Sequence, residues 1–321
     1  MNSIHFSFLL LASFIQFEEL PGSRLTKLGI VLPVGSAGSW DAGMVESPVV
    51  WFDSARGQYG MVYTGYGSKD TTRRGYAFVT APAVGLAWST DLTRWKKDPG
   101  NPIFTGSGIL GSPDAAGAAG PFIWFEGGTY YLFYFGVTGS GYEKGTKSLN
   151  LATSTDLRTW KRYENNPIIA PSGSGWRRDA IWHPNIVKRG DLYYLFFNAS
   201  GEVNRLAEEF IGYAVSSDLY YWDVDDVNSP LIVGSAQPGA WDASGRAGDP
   251  SVFKASDRWY MAWYSWDRKN SADGLAWTTD REFPFNWRIY KKNPVLRVGP
   301  PGSLDALHAG KPFVFRTANR H

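Results

Sequence analysis

The step Asp-Ala occurs five times along the chain, at Asp41, Asp114, Asp179, Asp242 and Asp305, each a few residues ahead of a proline that opens an apolar run. Successive copies are 73, 65, 63 and 63 residues apart. One supersecondary unit therefore recurs along the chain, and such a chain buries its apolar faces by stacking copies of that unit against one another.

Each unit carries a second fixed point, a small-polar-Asp step followed by tryptophan and a proline-led apolar pair. It reads Ser89-Thr90-Asp91…Trp95…Pro102-Ile103, Ser154-Thr155-Asp156…Trp160…Pro167-Ile168, Ser216-Ser217-Asp218…Trp222…Pro230-Leu231 and Thr278-Thr279-Asp280…Trp287…Pro294-Val295. Asp91, Asp156, Asp218 and Asp280 are read as blade-turn residues, with their tryptophans packed between units. Within a unit the runs are short, rich in Val, Ile, Tyr, Phe and Trp, and broken by Gly, Asp, Asn and Pro, which is strand-and-turn chemistry. In the second unit, Pro121–Phe125 reads as a first strand, Glu126-Gly127-Gly128 as a turn, and Thr129–Gly136 and Ser148–Ser154 as the next two strands. A fourth lies within Lys161–Ile169.

Four antiparallel strands per unit, repeated radially, predict an all-β propeller whose blades leave no wide sheet edge open. Five Asp-Ala steps predict five blades. The run Lys27 to Asp41 reads like the end of a repeat, matching Pro294-Val295-Leu296…Asp305, so the N-terminal segment is expected to supply an outer strand to the blade whose inner strand is Pro312–Phe315. That last blade is split between the termini and incomplete, which predicts a longer natural protein or a fragment with one weak blade. Residues 28–321 are read as one propeller domain and residues 1–27 as an N-terminal segment. Two readings of that segment stand: the apolar run Ile4–Ile15 as a signal-peptide core, or Phe6–Phe17 as a third strand of the split blade. The run is too short to span a bilayer as a helix.

A net charge of +2 with no Lys/Arg block argues against nucleic acid or an anionic membrane as partner. The absence of cysteine excludes disulfides, thiolate metal sites and a cysteine nucleophile together. The 15 Trp, 17 Tyr and 19 Phe are mostly needed to fill blade faces, and the remainder suit sugar stacking.

The units Gly85-Leu86-Ala87-Trp88-Ser89-Thr90-Asp91-Leu92-Thr93-Arg94-Trp95, Gly128-Thr129-Tyr130-Tyr131-Leu132-Phe133-Tyr134 and Gly248-Asp249-Pro250-Ser251-Val252-Phe253 resemble the five-bladed propeller glycoside hydrolases of families 43, 32, 62 and 68, and their relative family 130. The resemblance covers residues 40–315. It implies an oligosaccharide or polysaccharide ligand and a site in the axial depression, at the start of each innermost strand.

The residues lead to the same place. Cleaving a glycosidic bond takes one carboxyl group to protonate the leaving oxygen and another to act as base or nucleophile. Polar residues just before the five prolines should face one another across the axis, and there the chain reads Glu46-Ser47-Pro48, Ala119-Gly120-Pro121, Trp182-His183-Pro184, Gly248-Asp249-Pro250 and Gly310-Lys311-Pro312. Glu46 and Asp249 are the carboxylates. Asp249 resembles the Asp-Pro base motif of family 43, and Glu46 its general-acid Glu-Gly-Pro motif, making Glu46 the expected acid and Asp249 the expected base. The blade order departs from that family: one mapping meets Ala119 where the acid belongs, the other meets His183 where the base belongs.

Asp179 and Asp114 are the candidate third carboxylates, with Asp179 expected to orient or tune the pair. Asp114 and Asp41, with Trp182, are candidate substrate contacts, although a residue repeated under pseudo-symmetry also suits a structural turn. His183, His308, Arg246 and Lys311 are expected on the inner rim, contacting sugar. No cofactor is required by this chemistry. As in some family 43 members, His183 and His308 with water and a carboxylate would alternatively hold a central cation such as calcium, although no tight ligand spacing marks a metal site. Clustered cations at the rim suit phosphate, so the expectation of a hydrolase stands beside a family-130-like phosphorylase and a non-catalytic carbohydrate-binding propeller. The substrate class and the signal-like N-terminus together point to a secreted or periplasmic setting. The loops expected to choose the sugar are Gly65–Val84, Gly136–Lys147 and Ala199–Glu209.

Overall fold

The computed structural model describes residues 11–14, 26–67, 80–139, 145–203, 206–306 and 308–315. Residues 4–10 and 15–17 of the apolar N-terminal run, and stretches 68–79, 140–144 and 204–205 of the three expected loops, lie outside these.

Four four-stranded antiparallel sheets form a propeller ring. The first blade contains β3 (Met44–Asp53), β4 (Gln58–Tyr66), β5 (Ala83–Ser89) and β6 (Lys96–Lys97). The second contains β7 (Gly117–Glu126), β8 (Thr129–Val137), β9 (Lys147–Ser154) and β10 (Lys161–Arg162). The third contains β11 (Ala180–Arg189), β12 (Leu192–Val203), β13 (Leu206–Ser216) and β14 (Asp223–Val224), and the fourth β15 (Gly248–Ala255), β16 (Arg258–Trp266), β17 (Ser271–Thr279) and β18 (Arg288–Ile289). Strand order within each sheet follows chain order. The expected strands of the second unit fall inside β7 to β10. Gly127 and Gly128, at φ 58° and 79°, make the two-residue turn between β7 and β8 with both central residues left-handed, a geometry that twists with the flanking strands.

The expectation of five sheets is corrected to four complete blades. Among the described residues, segment 308–315 pairs in no ladder, and its Val314 amide donates instead to the Ser251 hydroxyl of β15 at 2.9 Å. Phe313 and Phe315 pack on the core of the first blade around Val45, Met61 and Tyr63. The segment thus lies between the fourth and first blades. A two-stranded sheet, β1 (Leu11–Phe14) with β2 (Thr26–Ile30), stands apart from the four.

Three of the five Asp-Ala aspartates tie an entry loop to a cation on another strand. Asp41 is 2 % exposed and accepts hydrogen bonds from Ser39, from the Tyr63 hydroxyl and from Lys97 Nζ at 2.5 Å. Asp114, equally buried, accepts from Ser112, from the Tyr134 hydroxyl and from Arg162 Nε at 2.7 Å. Lys97 and Arg162 occupy the same register in their blades, opposite Ala87 and Ala152. Asp305 bonds Ser303 and pairs with Lys27 of β2, which acts toward segment 308–315 as Lys97 and Arg162 act toward β3 and β7.

The second fixed point is a capping turn in three blades. Asp91, Asp156 and Asp218 each accept from two backbone amides two and three residues on, while Leu92, Leu157 and Leu219 take φ of 67°, 62° and 70°. Asp280 departs from the expected role: it accepts from Trp259 Nε1 and Lys254 instead.

Candidate active site

Every first strand is interrupted at the same place. Its register shifts between Glu46 and Val49, Ala119 and Phe122, Trp182 and Asn185, and Gly248 and Ser251. The residue before each proline, Ser47, Gly120, His183, Asp249 and Lys311, has φ of 53°, 54°, 46°, 51° and 61°. A following proline disfavours the right-handed helical region for the residue before it, and a bulge re-aims its side chain. Four of the five carry a Cβ in a conformation uncommon for such residues, the kind of strain that gathers at functional sites. Together with their prolines they line a narrow axial cavity of about 40 Å³.

A second ring comes from β4, β8, β12 and β16, where Thr64, Phe135, Asn198 and Tyr264 sit two residues beyond the partners of the bulge exits. Thr64 Oγ1 accepts from the Gly120 amide at 2.9 Å, and Phe135 meets the His183 ring edge-on at 5.3 Å. A Cβ on Gly120 would stand 2.7 Å from the Phe135 ring and 2.9 Å from His183 Nδ1. Gly120→Ala is therefore expected to destabilise the fold by about 1–3 kcal/mol through overpacking, read as a lower midpoint in chemical denaturation. An unchanged midpoint would show that this corner is slack.

Charge gathers on the axis. Lys311 Nζ lies 3.0 Å from Glu46 Oε2 and 3.4 Å from His183 Nε2, and that same nitrogen is 3.3 Å from Asp249 Oδ1. The Tyr66 hydroxyl donates to Glu46 Oε1 at 3.3 Å. Glu46, His183 and Asp249 are 8 %, 9 % and 7 % exposed. Burial pushes Asp249 up to about 7; Lys311 opposes the shift, and the Glu209 and Glu46 carboxylates add to it. Burial, then the Lys311 ammonium, holds His183 well below its ordinary value, so the imidazole is neutral. For Lys311 burial works against the charged form, but Glu46 and Asp249 outweigh it and hold the ammonium above its usual range. A neutral His183 that accepts from Lys311 at Nε2 favours a proton on the facing Asp249 oxygen.

Glu209, on β13, was not among the residues singled out from sequence. Its Oε1 accepts from Asn198 Nδ2 at 2.9 Å and its Oε2 from the Tyr264 hydroxyl at 3.1 Å, which aims the carboxylate at the neighbouring blade's Asp249. Gly248 makes room for this: a Cβ there would meet the Tyr264 ring at 2.7 Å. One signal could have found Glu209. Ala87, Ala152, Ala214 and Ala276 each face the fourth strand, and the residue five places earlier reads Pro82, Lys147, Glu209 and Ser271. That position reaches the next blade's rim: Lys147 Nζ lies 5.9 Å from the Trp182 ring, and Ser271 Oγ lies 3.4 Å from His308 Nδ1.

The structure gathers Glu46, Asp249, His183 and Lys311; Trp182 precedes His183 on β11 under Lys147, and His308 meets Ser271. Arg246 bonds Glu208 at 2.7 Å, lies over the Trp266 ring and feels the Glu209 charge, which puts it beside the cluster. The structure leaves Asp179 out: its carboxylate is half-exposed and held by the Arg178 fork at 2.8 and 2.9 Å. Asp41 and Asp114 are committed to the ties described above. Among the described residues no group of three or more His, Asp and Glu side chains is arranged to hold a metal. The Lys311 ammonium engages His183 Nε2 at 3.4 Å.

The fold is that of the propeller glycoside hydrolases. Solved structures similar to the chain include a glycoside hydrolase (TM-score 0.67, 19 % identity, 85 % of this chain and 80 % of that one) and a BT0996 RGII complex (0.65, 20 %, 83 % and 78 %). A third is a thermostable family-43 glycoside hydrolase (0.56, 16 %, 79 % and 74 %). Among curated proteins, the β-1,2-mannobiose phosphorylase of Thermoanaerobacter sp. (strain X514) is 26 % identical over 144 residues, 40 % of this chain and 45 % of that protein. The chain thus matches less than half the length of that relative. No protein-family model matches the chain.

Proposed function

We propose that the protein cleaves glycosidic bonds of an oligosaccharide or polysaccharide in the axial depression, with Asp249 as general acid and Glu46 acting on the attacking nucleophile. The observation that carries this reading is the burial of Asp249 beside neutral His183, which gives its carboxyl a proton to donate near neutral pH. Glu46, ion-paired with Lys311, is a proton acceptor that can orient water. These roles exchange the ones that motif matching suggests, because burial and neighbouring charge, not the identity of the acid, decide which carboxyl holds the proton.

Hydrolysis is the first reading. Phosphorolysis is the second, favoured by the similarity to a mannobiose phosphorylase and by Lys311 and Arg246 at or beside the cluster, where an attacking phosphate would meet positive charge. Product analysis on a broad oligosaccharide panel, with and without inorganic phosphate, separates them. Free sugar in both samples supports a hydrolase, and sugar phosphate found only with phosphate present supports a phosphorylase. No product despite measurable binding refutes both and leaves a carbohydrate-binding propeller.

Glu209→Gln tests the tuning of the acid. Removing that negative charge should lower the proton affinity of Asp249, so the alkaline limb of kcat/KM against pH moves to lower pH. A limb that stays in place would mean that Glu209 does not act on Asp249.

A further inference from the structure

A second cavity, of about 440 Å³, opens at the fourth blade, lined by Trp241, Asp267, Asn270, Ser271, Asn293 and Arg297 among others. It is a departure from the repeat. In the first and second blades an ion pair, Asp41 with Lys97 and Asp114 with Arg162, ties the entry loop to the outermost strand. In the third, Arg177 from the entry loop pairs with Asp226 just after β14. In the fourth, the residue in register with Lys97 and Arg162 is Ile289, 52 % exposed, and Asp242 turns back onto Ser235 of its own loop. With no such ion pair across that corner among the described residues, space is left between residues 239–241 and residues 293–298.

The lining suits a sugar. Ligand cavities of a few hundred Å³ combine an apolar wall with a few convergent polar groups, and here the wall is the Trp241 indole. That ring is fixed from behind by Trp263 at 5.8 Å and by Gly274, where a Cβ would stand 2.6 Å from it. Among the described residues the Asn270 side-chain amide and the Arg297 guanidinium have no hydrogen-bond or ion-pair partner, so both are available to hydroxyl groups. Asn293 is already committed to the backbone of Leu275. Ser271 lines this cavity and also approaches His308, three residues before Lys311 in the chain.

We propose that this cavity is a second saccharide-binding site, holding a neutral sugar residue against Trp241 with Asn270 and Arg297 on its hydroxyls. The inference rests on the carbohydrate reading of the axial site, and its test separates the two. Affinity electrophoresis through gels containing arabinan, xylan, galactan, levan or mannan is expected to show retardation by at least one polymer. Asp249→Asn, which should lose turnover, should keep that retardation. Trp241→Ala should weaken it about tenfold while leaving turnover of short substrates in place, a loss equivalent to ~1.4 kcal/mol. Because Trp241 also packs on Trp263, a double variant with Asn270→Ala and Arg297→Ala, two side chains without structural bonds, should weaken retention several-fold in a protein that melts like the wild type. No retardation of the wild type by any polymer, or retention unchanged in both the Trp241 variant and the double variant, would overturn the proposal. Turnover that survives Asp249→Asn would count against the axial assignment alone.

Discussion

Asp249→Asn is expected to lower kcat by two to four orders of magnitude, roughly the contribution of a positioned general acid, while leaving sugar binding largely intact. In the wild type, kcat/KM should fall as pH rises through about 7, where Asp249 loses its proton. The same substitution should stabilise the fold at alkaline pH. The folded-state proton affinity of Asp249 is raised from 3.8 to about 7, so the native state binds a proton that the unfolded chain releases. That contribution is complete below about pH 4 and is lost as pH climbs through about 7. Asparagine removes the cost of burying the anion, so the variant should gain about 2–4 kcal/mol at pH 8 over its difference from wild type at pH 4. Asp273, also buried and pushed well up by its burial, contributes a pH dependence of the same sign, so the comparison is made between variants and not within one curve. Thermal melts at the two pH values, beside a pH–rate profile, check both halves. A variant that stays active, or is no more stable at pH 8, would remove Asp249 from the role of buried acid.

Lys311→Met should have the second-largest effect. Lys311 joins Glu46 to His183 and lowers the proton affinity of Asp249. Without it, Glu46 is left in a buried site facing no ammonium, and Asp249 holds its proton to higher pH. The expected result is a loss of about 2 kcal/mol of stability, below the 3–5 kcal/mol seen for fully buried pairs because the lysine side chain is 30 % exposed. The alkaline limb of kcat/KM should move upward, opposite in sign to the shift expected for Glu209→Gln. Opposite shifts in these two variants would be hard to obtain from a general loosening of the site. Shifts of the same sign would show that Asp249 does not respond to the local charges as described.

Much of the ring is legible in the amino-acid order. Proline fixes its own φ and restricts the residue before it, so five prolines at one phase of a repeat mark five equivalent positions at the start of the inner strands, and Asp249, His183 and Lys311 are found that way, although their left-handed φ is not announced by the prolines. Glu46 lies one position earlier and stands out as the nearest acid, yet it reaches the same cluster through Lys311. Asp179 misleads, because membership in the Asp-Ala series says where a turn lies and not where its carboxylate points; Arg178 holds it half-exposed. Glu209 escapes notice because its importance is carried by Asn198 in the same blade and Tyr264 and Asp249 in the next, and no spacing along one chain marks contacts between blades.

Sequence by itself determined the repeat, the strand pattern and the five pre-proline positions, since these follow from backbone preferences and apolar periodicity that act locally. Tertiary structure alone decided that four sheets complete themselves while, among the described residues, segment 308–315 joins no sheet ladder and lies between the fourth and first. It alone decided which carboxyl keeps a proton and where a second cavity opens. Those outcomes depend on burial, on charges a few ångströms apart and on side chains supplied by neighbouring blades, quantities that exist only once the ring has closed.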